Sequence, residues 1–213
     1  MAPPLILVPG LGFGGAGILR TGAEVEAPRL PGRRVPPPRW SGSLADKARA
    51  LGALVANVDG GAPHLVAHSM GGNIVLEMLR LRPDLATGRI VLLGAPLHGS
   101  MTARRVVGLP LGRAVIGRCM AEVMQRTFPL PDGREIGGIA GTVAFGIGRL
   151  FGAGVPGDGA VAIDEALDDG MTDVRKIASS HTAMLFSRAV AACIHGFLES
   201  GRFGSCGPGI SSG

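Results

Sequence analysis

The chain has 213 residues, 46% hydrophobic and 17% charged, which is long and apolar enough for one folded domain and excludes a disordered chain. Its formal net charge is +5, but the basic residues are scattered and only 4% of residues are aromatic, so we expect no nucleic-acid binding. The 3 cysteines are widely spaced, which argues against a metal site or a disulfide framework and favours reduced thiols in a cytoplasmic protein.

The first predicted element is a buried strand. Leu5–Val8 is wholly apolar, as expected of a strand covered on both faces, and no secretory signal is evident before it. Glu24–Leu30 is a weaker strand candidate. The 5 prolines of residues 28–40 predict a loop without regular structure.

The next part of the chain alternates helices and strands. Ser43 is expected to cap a helix, with Asp46 as its capping-box partner, and Gly60 and Gly61 are expected to end that helix. The segments that follow predict a strand, a helix and a strand: His64–Ala67, Gly71–Leu81 and Arg89–Leu93. This alternation predicts a parallel sheet with helices on both faces.

The second half of the chain is less regular. Residues 98–134 mix short helical patterns with arginines, and we interpret them as a small helical cap inserted over one edge of the sheet. Three later elements are predicted: strands over Glu135–Thr142 and Val174–Ala178, and a closing helix over Met184–Leu198. We therefore predict one α/β domain over residues 1–200, with a mostly parallel sheet, and a flexible Gly/Ser tail over 201–213.

Ser69 lies in a pattern typical of a nucleophilic serine. Residues 64–72 read H-L-V-A-H-S-M-G-G, so Ser69 and the preceding His68 fall between a predicted strand and a predicted helix. A tight strand-to-helix turn needs small residues two positions before and after the serine, and Ala67 and Gly71 meet that need. The helix that follows directs its N–H groups and positive dipole end to the same place. An ordinary turn with a capping serine is the alternative.

Three motifs resemble one known family. A-H-S-M-G-G at 67–72 resembles the nucleophile elbow of α/β-hydrolase esterases and lipases, some of which also begin it with Ala. L-I-L-V-P-G-L-G at 5–12 resembles the strand before the oxyanion loop, with Pro9 where many lipases have His. R-I-V-L-L-G-A-P-L-H-G-S at 89–100 resembles the strand after the nucleophile helix. The resemblance is weakest over 98–134 and implies the α/β-hydrolase fold.

A serine hydroxyl needs a base, usually a histidine oriented by a carboxylate. In this family the chain order is serine, acid, histidine. His181, in S-H-T-A-M-L between the last predicted strand and the closing helix, resembles the family's catalytic histidine. The other histidines have different expected roles: His64 structural, His68 pointing away from Ser69, His98 near the pocket and His195 inside the closing helix.

The acid is expected to be Asp158. P-G-D-G-A-V at 156–161 resembles the family's D-G-x-V turn, which carries the catalytic aspartate. A simple Asp-Gly turn remains the alternative for this residue. The other acidic residues of the same stretch remain open as rivals: Asp164, Glu165, Asp168, Asp169 and Asp173.

The resemblance also implies an oxyanion hole and an activity. The main-chain N–H groups of Met70 and Leu11 are the expected donors, and no metal or organic cofactor is required. The predicted function is cleavage of a small-molecule carboxylic ester through an acyl-enzyme. An acyltransferase or thioesterase with the same triad, and a non-catalytic binding protein, are the alternatives. The arginines of the cap are compatible with a solvated lid or with contact to an anionic lipid surface, and the sequence does not predict an oligomeric state.

Overall fold

The structure is a computed structural model that describes residues 3–10, 34–35, 42–99, 122–123, 126–145, 155–204 and 210–211. The strands in chain order are β1 Leu5–Val8, β2 Arg34–Val35, β3 His64–His68, β4 Ile90–Leu93, β5 Ile136–Gly141, β6 Asp173–Ile177 and β7 Ile210–Ser211. The helices are α1 Leu44–Ala56, α2 Met70–Leu81, α3 Ile163–Ala166 and α4 Arg188–Ser200, with a 3₁₀ turn over Ala183–Phe186.

The strands form one seven-stranded sheet in the order β2-β1-β3-β4-β5-β6-β7. Every neighbouring pair is parallel except β6 and β7, which are antiparallel. Strands β1 and β4 are buried along their whole length, as expected where helices cover both faces of a parallel sheet. The predicted mostly parallel sheet is therefore confirmed.

Side chains of the central strands alternate between two apolar cores. Ile6 and Val8 of β1 pack with α1 and α2 on one face. Leu5 and Leu7 of the same strand pack with α4 on the other face. This division fixes the sheet between the helices and places the ends of its parallel strands at a common edge.

Helix α1 begins as the sequence predicts. The Ser43 hydroxyl accepts from the Asp46 N–H, and the Asp46 carboxylate accepts from the Ser43 N–H at 3.0 Å, which completes the capping box. The helix ends at Ala56, with Asn57 as its C-cap, and so stops before the predicted glycines Gly60 and Gly61.

One segment predicted to be irregular contains a short strand. Arg34–Val35 form a short parallel strand beside Leu5 and Ile6, although residues 28–40 were expected to be loop. Arg34 and Val35 lie between the prolines, so each keeps a main-chain N–H that a strand can use. The weaker strand candidate Glu24–Leu30 and most of the expected cap over 98–134 lie outside the described residues.

The predicted closing helix is two elements. The 3₁₀ turn Ala183–Phe186 ends at Ser187, whose extended backbone (φ −87°, ψ 120°) interrupts the helical path. The Ser187 side chain then caps α4 by accepting from the Val190 N–H at 3.3 Å. The apolar periodicity of Met184–Leu198 continued across this break and concealed it.

The end of the chain differs from the expected flexible tail. Phe203 is buried, and its ring lies 4.9 Å from the ring of Phe197 in α4. Ile210–Ser211 pair with Lys176 and Ile177 of β6 as the last strand of the sheet. The Gly/Ser composition of 201–213 did not reveal the one aromatic side chain that anchors the segment.

Cys193 lies on the buried face of α4 and is disulfide-bonded. The expectation of reduced thiols is therefore wrong for Cys193. Cysteine usage no longer supports the expected cytoplasmic location. The other cysteines, Cys119 and Cys206, lie outside the described residues. Within the described ranges, no helix combines the length and apolar character that crossing a membrane requires.

Candidate active site

Ser69 lies in a strained turn between β3 and α2. Its backbone has φ 54° and ψ −131°, the only positive φ of a non-glycine residue in the described part of the chain. Such a conformation costs free energy and persists only where its surroundings enforce it. The Ser69 N–H donates to the Leu93 carbonyl at 2.8 Å, and the Ser69 carbonyl accepts from the Gly72 N–H at 2.9 Å. The turn is thus held from both sides.

The turn also requires close packing by small residues. A Cβ on Gly71 would overlap the carbonyl oxygen of Val8, so α2 lies directly against the end of β1. A Cβ on Gly10 would lie 2.8 Å from the Ser69 Cβ. Ala67 is fully buried at the end of β3. The small residues predicted around Ser69 therefore occupy places where a larger side chain does not fit.

Asp158 and His181 form a hydrogen-bonded pair at the same edge of the sheet. The Nδ1 atom of His181 lies 2.7 Å from Oδ2 of Asp158, and the His181 N–H donates to the Asp158 main-chain carbonyl at 3.0 Å. The other carboxylate oxygen, Oδ1, accepts from the N–H groups of Ala160 at 2.9 Å and Val161 at 2.8 Å. Asp158 is buried, and these donors supply the hydrogen bonds that a buried carboxylate needs.

This contact sets the tautomer of His181. A carboxylate only accepts hydrogen bonds, so Nδ1 of the neutral ring carries the proton. Nε2 is then unprotonated and has a free lone pair, with which a general base accepts a proton. His181 is partly exposed, with 17% of its side-chain surface accessible, so a reacting group can reach the ring.

The other candidate histidines and carboxylates lie elsewhere. His98 pairs with Asp168, with 3.3 Å between Nε2 and Oδ2. His64 accepts from the Arg89 N–H at 2.8 Å. The remaining side chains have separate partners in the structure: His195 with Glu199, Glu165 with the Ala162 N–H, and Asp173 with the Phe203 N–H. Among the described acidic residues, Asp158 is the one bonded to the His181 ring.

His68, next to the serine, is buried against His181. The two ring centroids are 4.6 Å apart, and Nε2 of His68 lies 3.0 Å from the main-chain oxygen of His181. Burial, together with the neighbouring His181, lowers the pKa of His68 to about 3. His68 is therefore neutral near pH 7.

His68 connects Ser69 to His181, because it precedes Ser69 in the chain and its ring contacts His181. No hydrogen bond joins the Ser69 hydroxyl to the His181 ring in the structure as described. Catalytic hydrogen bonds commonly close only in the substrate complex. The contact of His68 with His181 places the imidazole beside the residue that precedes Ser69.

One expected oxyanion donor lies in the described structure. Met70 is the first residue of α2, so its N–H belongs to the four at the helix start that have no intrahelical acceptor. The other expected donor, Leu11, follows Gly10 and lies outside the described residues.

Comparison with known proteins identifies the family. Residues 5–198 match the alpha/beta hydrolase family; this is most of the chain and includes β1, the elbow and most of α4. The chain belongs to the alpha/beta hydrolase family. The fold predicted from the elbow and its neighbouring strands is thereby confirmed.

Solved structures similar to this hydrolase include enzymes named as lipases and esterases. Lipase BlEst2 of Bacillus licheniformis in its mature form is 17% identical over 94% of this chain and 92% of its own, with a TM-score of 0.70. A metagenomic carboxyl esterase is 21% identical over 84% and 64%, with a TM-score of 0.61. Lipase B of Aspergillus fumigatus is 14% identical over 93% and 52%, with a TM-score of 0.64. No curated protein matches the sequence.

Two features of the hydrolase were not singled out from the sequence. Gly94, just after β4, lies under the Asp158–His181 pair, and the L-L-G-A-P motif that contains it was noted only as a resemblance. The contact between His68 and His181 joins residues 113 positions apart, and no local pattern signals it.

A separate cavity of about 730 Å³ lies beside β6. Four aspartates and one lysine line part of it: Asp164, Asp168, Asp169, Asp173 and Lys176. Ser69, Asp158 and His181 do not line this cavity, so four of the five acidic rivals of Asp158 surround a different space. Within the described residues, no group of three or more His, Cys, Asp and Glu side chains is placed to hold a metal ion.

Proposed function

We propose that this alpha/beta hydrolase is a serine hydrolase that cleaves carboxylic esters of small molecules through an acyl-enzyme on Ser69. One observation carries the proposal: a buried aspartate holds the imidazole of His181 at 2.7 Å beside a strained serine turn. Strained backbone clusters at active sites, and a serine hydroxyl needs an adjacent, oriented base to act as a nucleophile.

The first half of the reaction forms the acyl-enzyme. The Ser69 oxygen attacks the ester carbonyl carbon while Nε2 of His181 takes the hydroxyl proton. Asp158 keeps the ring in the required tautomer and stabilises the imidazolium. The carbon–oxygen bond of the leaving alcohol then breaks, and His181 returns the proton to that oxygen.

The second half releases the acid. Water attacks the acyl carbon, His181 takes its proton, and the Ser69–acyl bond breaks with return of the proton to Ser69. The negative charge on the carbonyl oxygen is stabilised in both halves by N–H donors, for which we propose Met70 and Leu11. One such donor contributes about 3 kcal/mol to transition-state stabilisation.

The similar structures support the ester as the substrate class. The names of two of them state lipase activity and a third states carboxyl esterase activity. Their identity to this chain is at most 21%, so the likeness itself concerns the fold. The proposed chemistry therefore depends on the side chains described above.

Labelling with a fluorophosphonate probe tests the nucleophile and the base. The wild-type protein is expected to label, whereas Ser69→Ala and His181→Ala are expected to lose labelling. His98→Ala is the matched control, because it removes a histidine that also pairs with an aspartate. Strong labelling of Ser69→Ala, or none of the wild type, would contradict the proposal.

A substrate panel tests the bond that is cleaved. We expect p-nitrophenyl esters to be hydrolysed faster than thioesters that carry the same acyl chain. Faster turnover of the thioesters, or of esters only when an alcohol acceptor is added, would move the activity to a thioesterase or an acyltransferase with the same triad.

A further inference from the structure

We propose that His68 is a positioning residue for His181: its Nε2–H holds the main-chain carbonyl of His181 and fixes the imidazole relative to Ser69. The inference rests on the proposed roles of Ser69 and His181. It assigns a task to the residue before the nucleophile that the elbow itself, which needs only small neighbours, does not require.

The hydrogen bond defines the His68 tautomer. Nε2 of His68 lies 3.0 Å from the His181 oxygen. A carbonyl oxygen only accepts, so the proton of the neutral His68 ring lies on Nε2. The bond joins the elbow to the loop that follows β6, and these two segments carry the nucleophile and the base.

The second ring nitrogen of His68, Nδ1, is buried, and no group among the described residues forms a hydrogen bond with it. It faces the end of β1, where a Cβ on Gly10 would lie 3.3 Å away. A buried polar atom without a partner costs free energy. A phenyl ring would fill the same space without that cost, so packing alone does not explain a histidine here.

An uncharged His68 ring is favourable next to His181. When His181 takes the serine proton, it becomes a cation whose ring centroid lies 4.6 Å from that of His68. A second positive charge at that distance would oppose the transfer. The charged and titratable groups that act on His68 are His181 and Asp158, and burial keeps the His68 ring neutral between them.

His181 is therefore held at three points. Asp158 accepts from the ring at 2.7 Å and from the main-chain N–H at 3.0 Å. His68 donates to the main-chain carbonyl. Both bonds to Asp158 orient the imidazole relative to the acid. The bond from His68 is the one that orients it relative to the serine, because His68 and Ser69 are adjacent in the turn.

Two substitutions separate positioning from packing. His68→Phe keeps the size and the ring but removes both nitrogens. His68→Gln keeps an N–H donor within reach of the same carbonyl. We expect His68→Phe to lose about 10- to 100-fold in kcat with KM changed less than about 3-fold, because small displacements of catalytic groups reduce turnover steeply. We expect His68→Gln to recover most of this loss.

Nuclear magnetic resonance gives a readout that does not depend on activity. In the wild type, ¹⁵N spectra are expected to report the Nε2–H tautomer for His68 from about pH 5 to about pH 9. The His181 Nδ1–H proton, bonded to Asp158, is expected to exchange with solvent faster in His68→Phe than in the wild type or in His68→Gln.

The possible results are distinguishable. An Nδ1–H tautomer for His68 would overturn the inference without any variant, as would a folded His68→Phe with wild-type kcat and wild-type exchange of the His181 proton. A wild type that neither labels nor hydrolyses esters would instead refute the proposed function. In that case the exchange of the His181 proton still decides whether His68 positions the ring.

Discussion

Gly94 lies directly against the carboxylate of Asp158: a Cβ at position 94 would stand 2.8 Å from Oδ2 and 3.1 Å from Nδ1 of His181. The backbone of Gly94 also has φ +53°, in the left-handed region that favours glycine. Gly94, just after β4, thus packs against the Asp158–His181 pair. Because Gly94 has no side chain, the carboxylate and the imidazole have room to form their hydrogen bond.

Gly94→Ala is expected to reduce kcat/KM by about 10²-fold, because the added methyl group separates Asp158 from His181. Steady-state hydrolysis of a p-nitrophenyl ester measures the effect. Gly133→Ala is the matched control, since Gly133 has φ +69° but nothing within 4 Å of the new Cβ. The control is expected to lose roughly 1–2 kcal/mol of stability and no activity. Equal kcat/KM for the two variants would contradict the role of Gly94.

Asp158→Asn is expected to lower kcat by about 10³- to 10⁴-fold, because the amide no longer stabilises the imidazolium or selects its tautomer. Asp168→Asn changes the same residue type in another Asp–His pair, the one with His98. This variant is expected to keep kcat within about 3-fold of the wild type, because Asp168 pairs with His98 and not with His181. A larger loss of kcat in Asp168→Asn than in Asp158→Asn would instead assign the catalytic acid to Asp168.

Stability is expected to fall as the pH falls from about 6.5 towards 3, because burial lowers the pKa of His68 to about 3 from 6.5. In this range the unfolded chain binds a proton that the folded chain excludes, so acid favours unfolding. One such group contributes up to about 1.4 kcal/mol for each pH unit. The pKa of His64 is also lowered by burial and acts in the same direction.

Urea unfolding at several pH values measures this dependence. His68→Gln removes the titrating ring, so its free energy of unfolding is expected to vary less steeply below about pH 6.5. His98→Gln, at an exposed position, is the control. Parallel curves for the wild type and His68→Gln would argue against a neutral buried His68.

The disulfide at Cys193 predicts a thiol count. The chain has 3 cysteines, so one disulfide leaves 1 free thiol in the denatured protein without reductant and 3 after reduction. Reduction is also expected to lower the midpoint of thermal unfolding, because a cross-link restricts the unfolded chain. Thiol titration in guanidinium and peptide mapping by mass spectrometry measure the count and the pairing. Three thiols without reductant would contradict the bond.

The sequence predicted the framework of the fold because its signals are local. The apolar run of β1, the capping box at Ser43 and the small residues around Ser69 act within a few positions of the chain. Each was sufficient to place a strand, a helix start or a turn. The order of these elements then implied a parallel sheet and brought the ends of its strands to one edge.

What the sequence did not predict depends on distant contacts. The strand Arg34–Val35 forms because β1 offers it a free edge, and its composition alone favoured a loop. Phe203 is fixed by α4 in a segment rich in Gly and Ser. The bond from His68 to His181 and the space above Gly94 exist only after the sheet has formed. The resemblance suggested that Asp158 and His181 would lie together, as they do, but it did not suggest the other contacts that hold them.

The rings of Phe197 and Phe203 both lie on Gly137 of β5, where an added Cβ would come within 2.7 Å of each. The family match stops at residue 198, five residues short of the second ring. Trimming the gene to that boundary would remove Phe203, one of the two rings that cover Gly137 on this face of β5. Expression designs for this hydrolase should keep the final segment and place any affinity tag at the other terminus.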